Sequence, residues 1–254
     1  MNELTLKAQW LKEEQTDFAG WDFSHLNGRW ESAKLPWDYR QMVVTHLRPS
    51  DRLLDMGTGG GEFLLTLHHP YRQTAVTEAW PPNIRLIIKK LAPLGIHIYA
   101  LSAKAGKTGA IPAPANSFDL IINQHAGFDI ADVKRTLKPG GRFITQQVGA
   151  HNNQDLSKLL LPDYRPAYPH NTLKQVTHDL TEAGFRIERH NDYFPSLRFF
   201  DVGAVVYYAK IITWEFPRFS VDRCFATLLK LQKQIEQAGY IQTHEHRFLI
   251  IARK

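Results

Sequence analysis

Residues 52–63 read Arg-Leu-Leu-Asp-Met-Gly-Thr-Gly-Gly-Gly-Glu-Phe, and no other stretch limits the fold of this chain as tightly. The apolar pair Leu53-Leu54 reaches an acid, Asp55. Glycines follow at 57, 59, 60 and 61, and an apolar run restarts at Phe63. This pattern predicts a buried strand, a tight turn and the start of a helix. Glycine is required where the backbone takes positive φ, or where a ligand lies against it with no Cβ between. In an open α/β sheet such a turn sits at the carboxyl edge of its strand, where ligands bind. The spacing is not that of a dinucleotide turn. G-x-G-x-x-G needs glycine at 62 or 64, where Glu62 and Leu64 stand. The Gly-Lys-Ser/Thr ending of a phosphate loop is also absent. A carboxylate at the helix start opposes pyrophosphate, which favours a positive helix terminus.

A second element agrees. Gln73–Glu78 reads as the next strand and ends in an acid 21 residues after Gly57. An acid at that distance, at the end of the second strand, suits a ribose diol. Its two oxygens accept from two hydroxyl donors. Third comes Asn116-Ser-Phe-Asp-Leu-Ile-Ile-Asn123, followed by His125. Fourth comes Val133–Thr145, which contains Leu-Lys-Pro-Gly-Gly and then an apolar strand. Pro139 and the paired glycines mark a helix end and a turn.

The spacing Asp55-x-Gly57-x-Gly59-x-Gly61 resembles motif I of the class I S-adenosylmethionine (SAM)-dependent methyltransferases. The S-F-D-apolar and L-K-P-G-G segments resemble that family's fourth strand and its turn into the fifth. The resemblance covers roughly residues 40–150 in ordered sequence, with weaker support over 173–254. It implies a Rossmann-like α/β fold: a seven-stranded, mostly parallel sheet with helices on both faces. It implies SAM as cofactor, held by Asp55, Gly57, Thr58, Gly59 and Gly61 at its methionine end and by Glu78 at its ribose. Ala79 and Trp80 would flank the adenine, with Trp80 as a stacking surface, and Asn123 would face the reacting end. SAM carries no phosphate but bears a sulfonium and an ammonium, so acids around the loop suit it. The family's third strand often ends in an acid near the adenine amino group. This chain has Ser102 and Ala103 there, so Ser102 is either a hydrogen-bonding substitute or an ordinary loop serine.

The 254 residues suffice for one α/β domain with additions. No apolar run reaches the length of a membrane span, and the first residues lack an apolar signal region. With a single cysteine, Cys224, no internal disulfide forms, and the cytoplasm is the expected compartment. The formal charge of +6 favours polyanions, but the basic residues are scattered among acids. Residues 1–50 are expected to form a helical, aromatic-rich segment, either a lid over the cofactor or a strap on the flank of the sheet. Residues 51–254 form the SAM-binding domain. Its strands alternate with helices, as in a parallel sheet. A helix is expected over 171–183, a strand over 185–190 and a last strand over 246–252. Residues 194–240 form an insert of two helices, with apolar faces at Val202, Val205, Val206, Ala209 and Ile212 and at Val221, Cys224, Phe225, Leu228, Leu231 and Ile235. Rich in aromatics, this insert either walls a substrate pocket or only buries a flank.

Methyl transfer from a sulfonium needs alignment and a dry pocket, and only sometimes a base. His125, after the fourth strand, is the candidate catalytic residue: a general base, a hydrogen-bonding group for the substrate, or a helix cap. Gln146 and Gln147 end the fifth strand at the cofactor edge and are either substrate readers or solvated glutamines at a strand end; Trp21 and Tyr207 are further candidate substrate readers. Arg29, Tyr39 and Arg40 are either partners for the methionine carboxylate or, as the spacing that selects none of them favours, solvated or structural residues. Cys224 lies on an apolar helix face and reads as a core thiol rather than a nucleophile. Neither HExxH nor paired CxxC is present, so no metal is expected. The function expected is methyl transfer to a small molecule in an aromatic-lined pocket. The alternatives are an RNA methyltransferase, supported by the basic charge, and a SAM-binding regulator without catalysis.

Overall fold

A computed structural model describes residues 2–18, 22–104, 107–108 and 110–254. Trp21 lies outside the described residues. In chain order the elements are α1 (Glu3–Gln15), β1 (Trp30–Ser32), α2 (Tyr39–His46), β2 (Leu53–Met56), α3 (Glu62–Leu65), β3 (Thr74–Glu78), α4 (Pro81–Leu91), β4 (His97–Ala100), β5 (Ala103–Lys104) and β6 (Lys107–Thr108). They continue with β7 (Phe118–Gln124), α5 (Ile130–Thr136), β8 (Leu137–Val148), α6 (Gln154–Leu160), α7 (Leu173–Glu182), β9 (Arg186–Tyr193), β10 (Ser196–Phe199), α8 (Val202–Ile211), α9 (Val221–Ala238), β11 (Ile241–His244) and β12 (Arg247–Arg253).

The chain forms two compact units. One comprises Pro36–Val148, Thr172–Asp192 and Phe248–Lys254. The other comprises Met1–Leu35, Gly149–Asn171 and Tyr193–Arg247. The N-terminal segment expected over residues 1–50 therefore divides at Leu35 and Pro36.

The first unit is built on a seven-stranded sheet in the order β4-β3-β2-β7-β8-β12-β9. The pairs β2–β3, β2–β7, β3–β4 and β7–β8 are parallel. β12 runs against β8: the Lys254 N–H donates to Gly141 O, and the Gly140 N–H donates to Lys254 O. The central strands are apolar because both faces are covered. Leu53, Leu54, Val76, Leu120, Ile121, Phe143 and Ile144 are all buried. The crossover helices carry their start signals in the sequence. Asp38 caps α2, Asp129 caps α5 and Thr172 caps α7, each accepting a first-turn N–H. Pro81 opens α4 with its φ already helical, and Asn83, Ile87 and Leu91 turn one face inward at four-residue spacing.

The register sets the functional edge. Asp55 pairs with Val76 and Met56 with Thr77 on β3; Met56 pairs with Asn123 on β7, Asn123 with Thr145 on β8, and Glu78 with Ala100 on β4. Asp55, Glu78, Asn123 and the start of Gln146-Gln147 thus reach the same carboxyl edge, as in an open α/β sheet.

The second unit has its own core and a sheet that the sequence did not suggest. The strands β1, β10 and β11 are antiparallel, with Trp30 opposite Phe199 and Leu197 opposite Thr243. The expected helical faces hold: Val202, Val205, Val206 and Ala209 of α8, and Val221, Cys224, Leu228 and Leu231 of α9, are buried in one cluster. Phe18, Phe23, Trp30, Phe199, Tyr208 and Phe216 pack edge and tilted around it, with centroids 5.2–6.3 Å apart, the offset arrangements that ring quadrupoles favour. Tyr207 belongs to this core. It is 2 % exposed, its ring packs on His25 and Phe18, and Lys210 lies over it. The expectation that Tyr207 reads a substrate is corrected on that ground. Among the described residues, no helix is long and apolar enough to cross a membrane.

Candidate active site

The turn after β2 is held by the strand beside it. The Gly57 and Thr58 N–H groups both donate to Thr77 O, at 3.0 and 3.1 Å, and Gly61 N–H closes the turn on Thr58 O. Gly57 has φ +69°, and a Cβ there would stand 2.3 Å from the Ala126 Cβ. No side chain fits, so glycine at 57 is a packing requirement as well as a conformational one.

Asp55 is buried at 4 % exposure, and its carboxylate accepts the Thr58 hydroxyl at 2.7 Å. Burial pushes its carboxyl up to about 6; the Thr58 bond opposes this and the Glu78 charge adds to it. Glu78 is buried too. Its Oε1 accepts the N–H groups of Ala79 and Trp80 at 2.8 and 2.9 Å. Its Oε2 accepts the Gly59 N–H at 2.9 Å and, more distantly, the Asn83 amide at 3.4 Å. One carboxylate thereby ties the glycine turn to the end of β3. Three of these donors are close backbone N–H groups.

Beside this pair opens a cavity of about 320 Å³, within the range of small-ligand sites. Gly57, Glu78, Ala79 and Trp80 line it, as the sequence suggested; so do Leu101, Ile111, Ala126 and Asp129, which it did not. Ile111 is placed by a clamp. Asp132 accepts the Ile111 N–H at 2.6 Å, while Arg135 donates to Ile111 O and Ala113 O at 2.7 and 2.6 Å. No spacing rule links a loop residue to a helix some twenty positions later, so this wall was invisible in the sequence. Ser102 is exposed and is not among the lining residues; the preceding Leu101 takes that place.

Residues 54–145 match the methyltransferase domain family. This segment is a class I SAM-dependent methyltransferase domain. The family implies SAM as the methyl donor. The demethylmenaquinone methyltransferase of Thermus thermophilus is 27 % identical over 121 residues, which is 44 % of this chain and 54 % of that protein. The chain spans about half the length of the curated relatives it matches. Among solved structures, the YcgJ protein of Bacillus subtilis superposes with a TM-score of 0.57 at 18 % identity, covering 85 % of this chain and 97 % of that one. A protein of Bacillus halodurans does so with a TM-score of 0.55 at 14 % identity, covering 85 % and 98 %. These two show the fold.

Several residues expected at the methyltransferase site are held elsewhere. Asn123 is fully buried. Its amide donates to Met56 O at 3.3 Å and its Oδ1 accepts the Thr145 hydroxyl at 3.0 Å. Gln147 is buried with it and donates to Asn123 Oδ1, Thr145 Oγ1 and Ala126 O. Both amides hold the β7–β8 edge together from inside, because unpaired amides there would carry a desolvation cost. Neither faces the cavity. Arg29 pairs with Asp201 and Glu13, and Arg40 donates twice to Thr66 O. The Tyr39 hydroxyl is buried between strands, donating to Asn123 O at 3.0 Å and accepting the Asn123 N–H at 3.2 Å. All three side chains are thus engaged with the protein itself, in keeping with the structural role that was the other reading of these residues.

Gln146 and His125 do meet. The Trp37 indole N–H donates to Gln146 Oε1 at 2.8 Å, and Gln146 Nε2 lies 3.1 Å from His125 Nε2. The His125 N–H also donates to Gln146 O at 2.8 Å. His125 has φ +60°, a left-handed conformation uncommon outside glycine. It is exposed at the strand end.

Proposed function

We propose that this chain transfers a methyl group from SAM to a small molecule. The observation that carries this reading is the cavity itself: a buried carboxylate, Glu78, and an apolar wall of Leu101 and Ile111 open into one space beside a glycine turn with no room for a Cβ. Such a space suits a nucleoside. Glu78 would accept the ribose hydroxyls, and Leu101, Ile111 and Trp80 would cover the base. Asp55 and the turn would lie toward the cationic end, where a second acid is favourable. When bound, SAM supplies an electrophilic methyl group on a leaving sulfur, so the protein need only align the acceptor and exclude water. The names of the curated relatives, demethylmenaquinone methyltransferases, favour a small-molecule acceptor.

Calorimetric titration with SAM tests the cofactor assignment, and mass spectrometry of cell extracts incubated with protein and SAM finds the acceptor as a product heavier by one methyl group. Saturable binding plus such a product is the expected result. No SAM binding by folded protein would end the proposal.

A further inference from the structure

We infer that Asn153 is a two-position switch set by the protonation of Glu215. Facing a carboxylate, the Asn153 amide turns its NH2 inward; facing a carboxylic acid, it turns over and presents its carbonyl oxygen. Both residues belong to the second unit and are buried, Asn153 fully and Glu215 at 6 % exposure. Glu215 stands in the connection between α8 and α9, and Asn152-Asn153 directly precede α6. Glu215 Oε1 accepts from the Asn152 amide at 2.6 Å, and Oε2 accepts from the Asn153 amide at 2.9 Å.

The two amides differ in what holds them. Asn152 Oδ1 meets two donors, the His246 backbone N–H at 2.8 Å and the Arg247 guanidinium. Both of these can only donate, so the Asn152 carbonyl is fixed and its NH2 must face Glu215. A proton on Glu215 Oε1 would point at that NH2. The proton therefore belongs on Oε2, opposite Asn153, where the neighbours impose no direction. Asn153 Nδ2 lies 3.0 Å from the Tyr208 hydroxyl, a group that accepts or donates. Asn153 Oδ1 has no partner among the described residues. With Glu215 ionised, the NH2 bridges Glu215 Oε2 and the Tyr208 oxygen. With Oε2 protonated, that NH2 would meet an O–H. Half a turn of the amide puts Oδ1 in its place, to accept from Glu215 Oε2–H and from the Tyr208 O–H. The oxygen and nitrogen of an amide are close in size, so the backbone need not move. Each state leaves one end of the Asn153 amide unmet, so that cost falls on both.

The surroundings favour uptake of the proton near neutrality. Among the described residues, the ionisable groups that act on Glu215 or feel its charge are Tyr164 after α6, Tyr208 of α8, Glu245 after β11 and Arg247 at the start of β12. Arg247 is paired with Glu245, and among the described residues no cation pairs with Glu215. Burial pushes the Glu215 carboxyl up to about 7; the Asn153 and Asn152 bonds and Arg247 oppose this, and Glu245 adds to it. The small part of Glu215 that stays exposed lets the proton come from solvent and return there.

Nuclear magnetic resonance of uniformly 13C,15N-labelled protein, titrated across neutral pH, reads both partners. The 13C shift of the Glu215 carboxyl reports the proton, and the side-chain NH2 signals of Asn153 report the amide. Both are expected to move on one curve with its midpoint near pH 7, while the Asn152 NH2 signals move far less. Glu215→Gln keeps a carbonyl for Asn152 and offers Asn153 an NH2, so it stands in for the acid. Its Asn153 signals should stay at the wild-type low-pH position throughout the titration. A Glu215 carboxyl that does not titrate, Asn153 signals that do not follow it, or a Glu215→Gln protein with Asn153 at the high-pH position overturns the inference. If Glu215→Gln fails to fold, the wild-type titration alone decides. The spectra are recorded without SAM, so their outcome is independent of the methyl-transfer reading.

Discussion

Asp55→Asn should make the protein more stable and less able to bind its cofactor. The Asp55 carboxyl is pushed from 3.8 to about 6 by burial, against the Thr58 bond and with the Glu78 charge. The folded form therefore holds this proton more tightly than the unfolded chain. Between about pH 4 and pH 6 it carries more protons than the unfolded chain, so this group's contribution to stability falls as pH rises through that window and is flat above it. A shift of two units corresponds to about 3 kcal/mol. Asparagine keeps the shape, and its Oδ1 can still accept the Thr58 hydroxyl, but the buried charge is gone. Part of the gain is offset because a neutral acceptor makes a weaker bond than a carboxylate. A net stabilisation of about 1–3 kcal/mol at pH 8 is expected, shrinking toward zero by pH 4. Urea unfolding of both proteins at pH 4, 5, 6 and 8 measures this. The difference between them cancels other titrating groups, such as Glu215, which burial raises to about 7. A variant less stable than wild type at pH 8, or a difference that does not change with pH, would refute the reasoning. Calorimetry should show weaker SAM binding by the same variant.

Three further outcomes follow from the geometry. Gly57→Ala sets a Cβ against Ala126 at 2.3 Å and forces an L residue to φ +69°, a combined cost of about 2–5 kcal/mol; chemical denaturation should show it, together with loss of SAM binding. Glu78→Gln replaces one acceptor oxygen with an NH2 that must face either the Ala79 and Trp80 N–H groups or that of Gly59. Leaving such a buried donor unmet costs about 1–3 kcal/mol, and SAM affinity in calorimetry should fall at least tenfold; an unchanged affinity would remove Glu78 from the ribose. Tyr39→Phe leaves the Asn123 N–H without its 3.2 Å partner and should lower stability by about 1–3 kcal/mol with little effect on SAM affinity, since the hydroxyl does not face the cavity.

The supersecondary plan was legible in the sequence because its signals are local. Glycine spacing marks the turn after β2, and an acid ends β3. Pro81, Asp129 and Thr172 mark helix starts, and the apolar faces of α8 and α9 repeat at helical spacing. The cavity lining was legible only where it follows one strand end into its own turn, as at Gly57, Glu78 and Trp80. What stayed hidden depends on pairs far apart in the chain. Ile111 reaches the cavity wall because Asp132 and Arg135 grip its backbone. The three-stranded sheet joins β1 to β10 and β11 across more than 160 positions, and no pattern in Trp30–Ser32 announces it. Ser102 was named by position in a familiar strand, while the side chain of Leu101, one residue earlier, lines the cavity.

The fate of Gln146-Gln147 follows from strand alternation. Successive residues of a strand point to opposite faces, so two adjacent glutamines on β8 cannot read the same substrate edge. The register sorts them. Thr145 pairs with Asn123, and Gln147, two residues on, shares its face, so Asn123, Thr145 and Gln147 close into one buried knot of amides and hydroxyl. Gln146 points the other way and meets Trp37 and His125. Its polarity serves an exposed imidazole, whereas that of Gln147 holds the sheet edge together. The same parity explains why Asn123, at the end of an S-F-D-apolar strand, lies under the site rather than in it. It shares the inner face with Thr145 and is fully buried, whereas His125, just past the strand where the chain turns left-handed, is exposed. Odd or even position along β8 thus decides which glutamine is locked inside the sheet edge and which meets His125.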